Sequence, residues 1–132
     1  MGDAEAHHRL SILYKKGQGV EKDEKRALHH AEQAALLGHP EARHNLGYEE
    51  MKNGRSDRGV KHYIIAAKLG DDNSLDVLKE IYKAGLVSKD DFTEALRGYQ
   101  SAIKATKSPQ REAAYEFTKR AESLEKGNEV GI

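Results

Sequence analysis

Apolar residues along this chain recur at spacings of three, four and seven, which is the pattern of helices that bury one face. The first such face consists of Ala6, Leu10, Leu13 and Tyr14. Strict alternation of apolar and polar residues, which would indicate strands, is rare in the chain. The pattern therefore predicts an all-α protein of about seven helices.

Residues that start and stop helices divide the pattern into segments. Asp and Ser can accept hydrogen bonds from the free amides of a first turn, Pro suits a first-turn position, and Gly commonly ends a helix. Starts are predicted at Asp3, Asp23, Pro40, Ser56 or Asp57, Asp72 or Asn73, and Ser88, and stops at Gly17, Gly38, Asn53–Gly54, Gly70 and Gly85, with the sixth helix reaching about Ala105. Ser108–Pro109 opens a seventh helix that carries Ala113, Phe117, Ala121 and Leu124 on one side and ends at Gly127.

The segments repeat along the chain. Ala34–Ala35 recurs 32 residues later as Ala66–Ala67, and Gly38 recurs as Gly70. Equivalent positions in this frame are Ala27, Gly59 and Ala95, then Ala31, Tyr63 and Tyr99, and, in the preceding helices, Leu10, Leu46 and Leu78. The chain is therefore predicted to form an α-α superhelix, or solenoid, of three helix pairs in residues 1–107 (about 4–38, 39–70 and 71–107). Residues 108–127 are predicted to cap its end, and residues 128–132 to form a flexible tail.

Gly59 departs from its equivalents Ala27 and Ala95. Glycine inside a helix costs about 1 kcal/mol relative to alanine. From the sequence we therefore expect Gly59→Ala to raise the melting temperature.

The three copies of the repeat, over about residues 4 to 106, resemble a known family. The stretches AEAHHRLSILYKKGQGVEKDEKRA with AALLG, and ARHNLG with AAKLG, resemble the Sel1-like repeat, a relative of the tetratricopeptide repeat, whose core reads A-x-x-x-L-G-x-x-Y, D-x-x-K-A and A-A-x-x-G. The third copy ends at Thr106 instead of Gly, and Glu50 stands at the tyrosine position of the second copy. The resemblance implies an α-solenoid that acts as an adaptor or scaffold for other proteins, with no catalytic activity and no cofactor.

Composition narrows the range of partners. Lys plus Arg and Asp plus Glu balance at 22 each, which removes the long-range attraction to phosphate that nucleic-acid binding uses. No apolar run approaches the roughly 20 residues of a membrane span. The absence of Cys excludes disulfides, thiol catalysis and a cysteine zinc site, and together with the absence of a signal peptide it favours an intracellular location.

Candidate catalytic and metal-binding motifs are weak. The chain has 7 His, but none are spaced i, i+4 as in a helical metal pair, so they are interpreted as surface residues and no metal site is predicted. Gly17-Gln18-Gly19 lacks the preceding strand of a dinucleotide-binding loop. Adjacent carboxylates such as Glu49–Glu50 are interpreted as solvated faces and caps, so no enzyme activity is predicted.

A peptide-binding surface is predicted from the geometry of tetratricopeptide-like solenoids, in which the first helix of each pair lines the concave side. Side chains that flank the buried leucines would project from that side. The predicted strip consists of His8, Arg9, His44, Asn45, Tyr48, Lys52, Asp76 and Glu80, accompanied by Ile12, Val77 and Lys16. Asn45 is the preferred contact, because an exposed amide can pair with both groups of an extended peptide backbone.

An alternative function is structural. The outer face of the first helix would be exposed unless an upstream domain or a second copy covers it, so the chain could pack end to end as a spacer or a weakly self-associating module. Light scattering across a concentration series separates this alternative from an adaptor that needs a foreign partner.

Overall fold

The computed structural model describes residues 2–106 together with residues 117 and 120. Its helices are α1 (Gly2–Lys16), α2 (Glu24–Leu36), α3 (Pro40–Lys52), α4 (Ser56–Lys68), α5 (Asp72–Lys83) and α6 (residues 89–106). The described residues contain no strand, so the all-α prediction is confirmed for them. Most of the predicted seventh helix lies outside the described residues. Its two described residues, 117 and 120, are helical.

Most of the predicted helix starts are found in the structure. Asp23 accepts a hydrogen bond from the amide of Arg26, Pro40 opens α3, and Ser88 Oγ accepts from the amide of Asp91 at 3.0 Å. The prediction for α1 is wrong, because that helix already includes Gly2 and Asp3 lies inside its first turn. An acidic residue is favourable there as well, because the amide groups of the first turn carry a partial positive charge.

The links from α2 to α3 and from α4 to α5 share one construction. Gly38 and Gly70 adopt positive φ angles of 87° and 96°, which glycine reaches without a steric penalty. In each link the amide of the following residue, His39 or Asp71, bonds back to the last turn of the preceding helix. The same residue then caps the next helix, since His39 accepts from the amide of Ala42 and Asp71 from the amide of Ser74.

Each helix packs against the next one along the chain, from α1 through α5. Side-chain hydrogen bonds also join α1 to α3, α3 to α5 and α4 to α6. The helices therefore stack in two neighbouring rows. The first helices of the pairs (α1, α3 and α5) form one row and the second helices (α2, α4 and α6) form the other, as in an α-solenoid.

The core is uneven along the stack. Between α2 and α3 it is thin and made mostly of alanine, with the buried residues Ala31, Ala34, Ala35, Ala42 and Leu46. Around α4, α5 and α6 it is larger, with the buried residues Val60, Tyr63, Ala67, Leu75, Leu78, Ile81, Val87 and Ala95. The first interface, between the first and second helix pairs, therefore buries less apolar side-chain volume than the second interface, between the second and third pairs.

Gly59 lies at a close approach between α3 and α4. A Cβ atom there would lie 3.0 Å from the carbonyl oxygen of Gly47 and 2.6 Å from Cγ of Met51. The facing Gly47 is nearly as crowded, since a Cβ atom on it would lie 3.1 Å from the Tyr63 ring and 3.2 Å from the Gly59 carbonyl oxygen. The gain in helix propensity expected from Gly59→Ala is therefore opposed by overpacking, and we expect the overpacking to outweigh it.

Candidate functional site

Six of the eight residues of the predicted concave strip fall into three groups in the structure. Asn45 and Lys52 line a groove between the first and second helix pairs, together with Ile12. Asp76 and Glu80 line a shallow cleft on α5 and α6. The two predicted histidines, His8 and His44, turn into contacts between helices.

The groove has a volume of about 300 Å³. Its apolar floor comes from three helices, with Ile12 on α1, Ala27, Leu28 and Ala31 on α2, and Leu46 on α3. The Ser11 hydroxyl also lines the floor, but it donates a hydrogen bond to the Ala27 carbonyl at 2.8 Å. The floor therefore has little unsatisfied polarity, and Leu28 remains 47% exposed at its edge.

The rim of the groove is polar and contains two ion pairs. Lys15 of α1 bonds Glu49 of α3, and Arg55 holds Glu50 through two hydrogen bonds of 2.8 and 3.1 Å. The hydrogen bond from Arg55 lowers the pKa of the Glu50 carboxyl below its ordinary value. Glu50 is therefore ionised at neutral pH. Of the three carboxylates that line the groove, Glu49 and Glu50 each have a cation as partner, and the third is the exposed Glu24.

Tyr48 lies on α3 one turn after Asn45 and is 55% exposed. It does not line the groove, but it projects from the same central helix as Asn45 and Lys52. Arg9 is exposed on α1 and pairs with Glu5 one turn earlier at 3.1 Å. The side chains of Tyr48 and Arg9 are therefore exposed on the surface of the stack, outside both the groove and the cleft.

His8 and His44 occupy equivalent positions and connect neighbouring pairs. His8 is 5% exposed, donates to Glu41 at 3.1 Å and stacks on His39. His44 donates from Nδ1 to Ser74 Oγ at 2.7 Å. The interpretation of the histidines as surface residues is therefore wrong for His8, and its ring is not accessible to a partner.

Two further histidines are partly buried beside cations. Burial lowers the pKa of His30, and the nearby His7, His29 and Arg26 lower it further. His62 lies at the equivalent position of α4, and its pKa is also lowered, mainly by burial and then by Arg43, which lies 3.4 Å away. Sequence spacing did not reveal the contacts with His7 and Arg43, because these two groups lie on other helices.

Asp71, Ser74 and His44 are residue types of a nucleophilic triad, and the structure brings them together. Ser74, however, is fully buried and lies between the other two, donating to Asp71 at 2.6 Å and accepting from His44. A nucleophilic serine would instead present an accessible hydroxyl, with the histidine placed between serine and aspartate. This arrangement caps α5 and ties it to α3.

The described residues offer neither a metal cluster nor a membrane-spanning helix. Within residues 2–106, 117 and 120, no three side chains of the types His, Cys, Asp and Glu come together as metal ligands. No helix of that part of the chain combines the length and the apolar character needed to cross a bilayer.

Comparison with known proteins identifies the repeat. A search of curated protein sequences finds no match to the chain. The family model of the Sel1 repeat matches residues 4–39 and residues 40–71, which together make up just over half of the chain. The pair formed by α5 and α6 lies beyond the matched residues, so its assignment as a third repeat stays a prediction. With two consecutive matches and helices stacked in two rows, the chain belongs to the Sel1 repeat family.

Proposed function

We propose that the chain is an adaptor or scaffold module that binds a peptide or protein segment across its row of first helices, α1, α3 and α5. Sel1 repeats are generally protein-protein interaction modules, and the family is one of non-catalytic repeat scaffolds. The proposal goes further by naming the surface and its central contacts.

The observation that carries the proposal is the exposed surface of α3, the middle helix of that row. Tyr48 is 55% exposed there, and the amide of Asn45 and the ammonium group of Lys52 are exposed beside it. Exposed aromatic side chains supply much of the binding energy at protein interfaces. The amide can pair with both the N–H and the C=O group of an extended backbone.

Charge along the row supports an oriented partner. The α1 end carries the exposed cation Lys16 beside Arg9, which is paired with Glu5. The α5 end carries the exposed carboxylate Asp76 beside Glu80, which is paired with Lys83. A bound segment with acidic residues near α1 and basic residues near α5 would complement this order. Such complementarity mainly affects orientation and association rate.

The test compares capture of partners from the native source by immobilised wild-type chain and by the double variant Asn45→Ala/Tyr48→Ala. We expect the double variant to lose at least about tenfold in captured partner, measured by quantitative mass spectrometry. Its unfolding free energy should stay within about 0.5 kcal/mol of wild type, because both side chains are exposed.

A matched control is Leu36→Ala/Lys61→Ala, which truncates one apolar and one charged side chain exposed on the second helices. This control should capture partners as wild type does. Equal capture by wild type and by the Asn45→Ala/Tyr48→Ala variant would place the binding surface elsewhere and reject the proposal.

A further inference from the structure

The two interfaces between neighbouring helix pairs differ at one equivalent position. In the second interface that position holds Tyr63, which is 3% exposed and packs its ring over Gly47 and edge-on to His44, with ring centroids 5.1 Å apart. In the first interface the equivalent residue is Ala31, which lines the floor of the groove. The first interface therefore lacks the aromatic ring that fills the second.

Two other equivalent positions beside it are also apolar in the second interface and charged in the first. The thioether of Met51 and the buried side chain of Ile81 stand where the first interface has Lys15 and Glu49. Lys15 and Glu49 pair with each other at the rim and do not enter the floor as apolar groups would. The groove of about 300 Å³ is thus the space that aromatic and aliphatic side chains occupy one repeat later.

We infer that this groove is a subsite for an uncharged aromatic side chain supplied by the bound partner, which takes the place that Tyr63 takes in the next interface. The inference rests on the proposed function, since it specifies what part of a bound segment enters the row of first helices.

Size and polarity of the groove favour this occupant. A cavity of roughly 150 Å³ is enough for a benzene-sized group, so the groove has room for one ring and its adjoining backbone. The rim carboxylates Glu49 and Glu50 are already paired with Lys15 and Arg55. The other charged lining residues, Glu24 and Lys52, carry opposite signs, so the rim favours neither a cationic nor an anionic side chain. The amides of Asn45 and Asn53 lie at the edge, where they can bond the backbone of the incoming segment.

A direct probe is N-acetyl-tyrosine methylamide, titrated into the full chain labelled with ¹⁵N, with N-acetyl-alanine methylamide as comparator. We expect saturable shifts of resonances from Ile12, Leu28 and Asn45 with the tyrosine compound and at least about tenfold weaker binding of the alanine compound. Ala31→Tyr, which supplies the ring from the chain itself, should weaken binding of the tyrosine compound at least about tenfold.

Glu32→Tyr is the matched control, because it adds the same side chain at an exposed neighbouring position of α2 outside the groove. It should bind the tyrosine compound as wild type does. If Ala31→Tyr does not fold, Leu28→Glu tests the same site by placing a charge at its exposed edge. Equal shifts with both compounds, or unaltered binding in the folded groove variant, would overturn the inference.

A peptide experiment separates this inference from the proposed function. Peptides are selected from a random phage-displayed library on the full chain, and their dissociation constants are measured for wild type, Ala31→Tyr and Tyr48→Ala. A shared aromatic residue and weaker binding to Ala31→Tyr support the inference. Weaker binding to Tyr48→Ala alone rejects the aromatic subsite and leaves the proposed function standing, whereas peptides insensitive to both variants contradict both.

Discussion

At the scale of single residues, glycine and alanine decide how closely neighbouring helices approach. Gly47 and Gly59 face each other between α3 and α4, and neither position has room for a Cβ atom without movement of its neighbours. In the first pair Ser11 and Ala27 stand at the equivalent positions and are joined by a hydrogen bond from the Ser11 hydroxyl to the Ala27 carbonyl. Two repeats of one family therefore reach a similar helix pairing with different residues at the crossing.

Gly59→Ala is expected to lower the unfolding free energy by about 1 kcal/mol. The gain of about 1 kcal/mol in helix propensity is outweighed by displacement of Met51 and the Gly47 carbonyl, since overpacking costs about 1–3 kcal/mol. Urea denaturation followed by circular dichroism measures the change.

The matched variant for this prediction is Ala27→Gly, at the equivalent site of the first pair. It should also lower stability, by about 1 kcal/mol, because it loses helix propensity and the methyl group of a buried alanine. A Gly59→Ala chain more stable than wild type would show that Met51 relaxes freely and that the close approach of α3 and α4 is not limiting.

At the scale of helices, the links place one residue at the end of one helix and the start of the next. Asp71 shows this most clearly, because its amide bonds to the Ala66 carbonyl while its carboxylate accepts from the amide and hydroxyl of Ser74. His44 of α3 joins the same group through Ser74. One residue thus couples the end of α4, through its backbone amide, to the start of α5 and the contact between α3 and α5, through its side chain.

Asp71→Ala is expected to lower the unfolding free energy by about 2 kcal/mol. Loss of a cap costs about 1 kcal/mol, and the buried Ser74 hydroxyl loses its acceptor, which adds a penalty of about 1–3 kcal/mol that local relaxation reduces. Chemical denaturation at neutral pH measures the loss.

Asp23→Ala serves as the comparison for that prediction. Asp23 caps α2 with a single bond to the Arg26 amide in an exposed setting, so its removal should cost only about 1 kcal/mol. Equal losses in the two variants would mean that the network through Ser74 and His44 adds nothing beyond an ordinary cap.

At the scale of the whole molecule, equivalent histidines on α2 and α4 make stability depend on pH. The pKa values of His30 and His62 are lowered mainly by burial, and nearby cations add to the effect. His7, His29 and Arg26 face His30. Arg43 and Arg58 lower the pKa of His62, whereas the facing carboxylates Glu50 and Glu32 raise it. A pKa that is lower in the folded state means that the unfolded chain binds protons first as the pH falls.

We therefore expect the melting temperature to fall when the pH is lowered from 8 through about 6.5, the ordinary pKa of histidine, toward pH 5.5. The contribution of His30 and His62 is fully present above that pKa and is lost as the pH falls through the pKa values of the folded state. Thermal unfolding at matched ionic strength measures it. The variant His30→Gln/His62→Gln should show a smaller difference between pH 8 and pH 5.5, and an unchanged difference would assign the pH dependence to other groups.

Much of the architecture could be predicted from the sequence because helices depend on local signals. The periodic apolar positions, the caps at Asp23 and Ser88 and the glycines that end α2 and α4 all act within a few residues of one another. The alignment of Ala31 with Tyr63 and Tyr99 was also visible from spacing alone. These features determined the helix pairs, their order and membership in the repeat family.

Only the tertiary structure decided what each position faces. His8 and Asn45 both lie within two residues of a repeat leucine, yet His8 bonds Glu41 inside the stack while Asn45 opens onto the groove. The crowding at Gly59, the histidines that bridge helices and the open space beside Ala31 depend on residues from other helices. Contacts of that kind are set by how closely and at what angle the helices pack, which periodicity along a single helix does not encode.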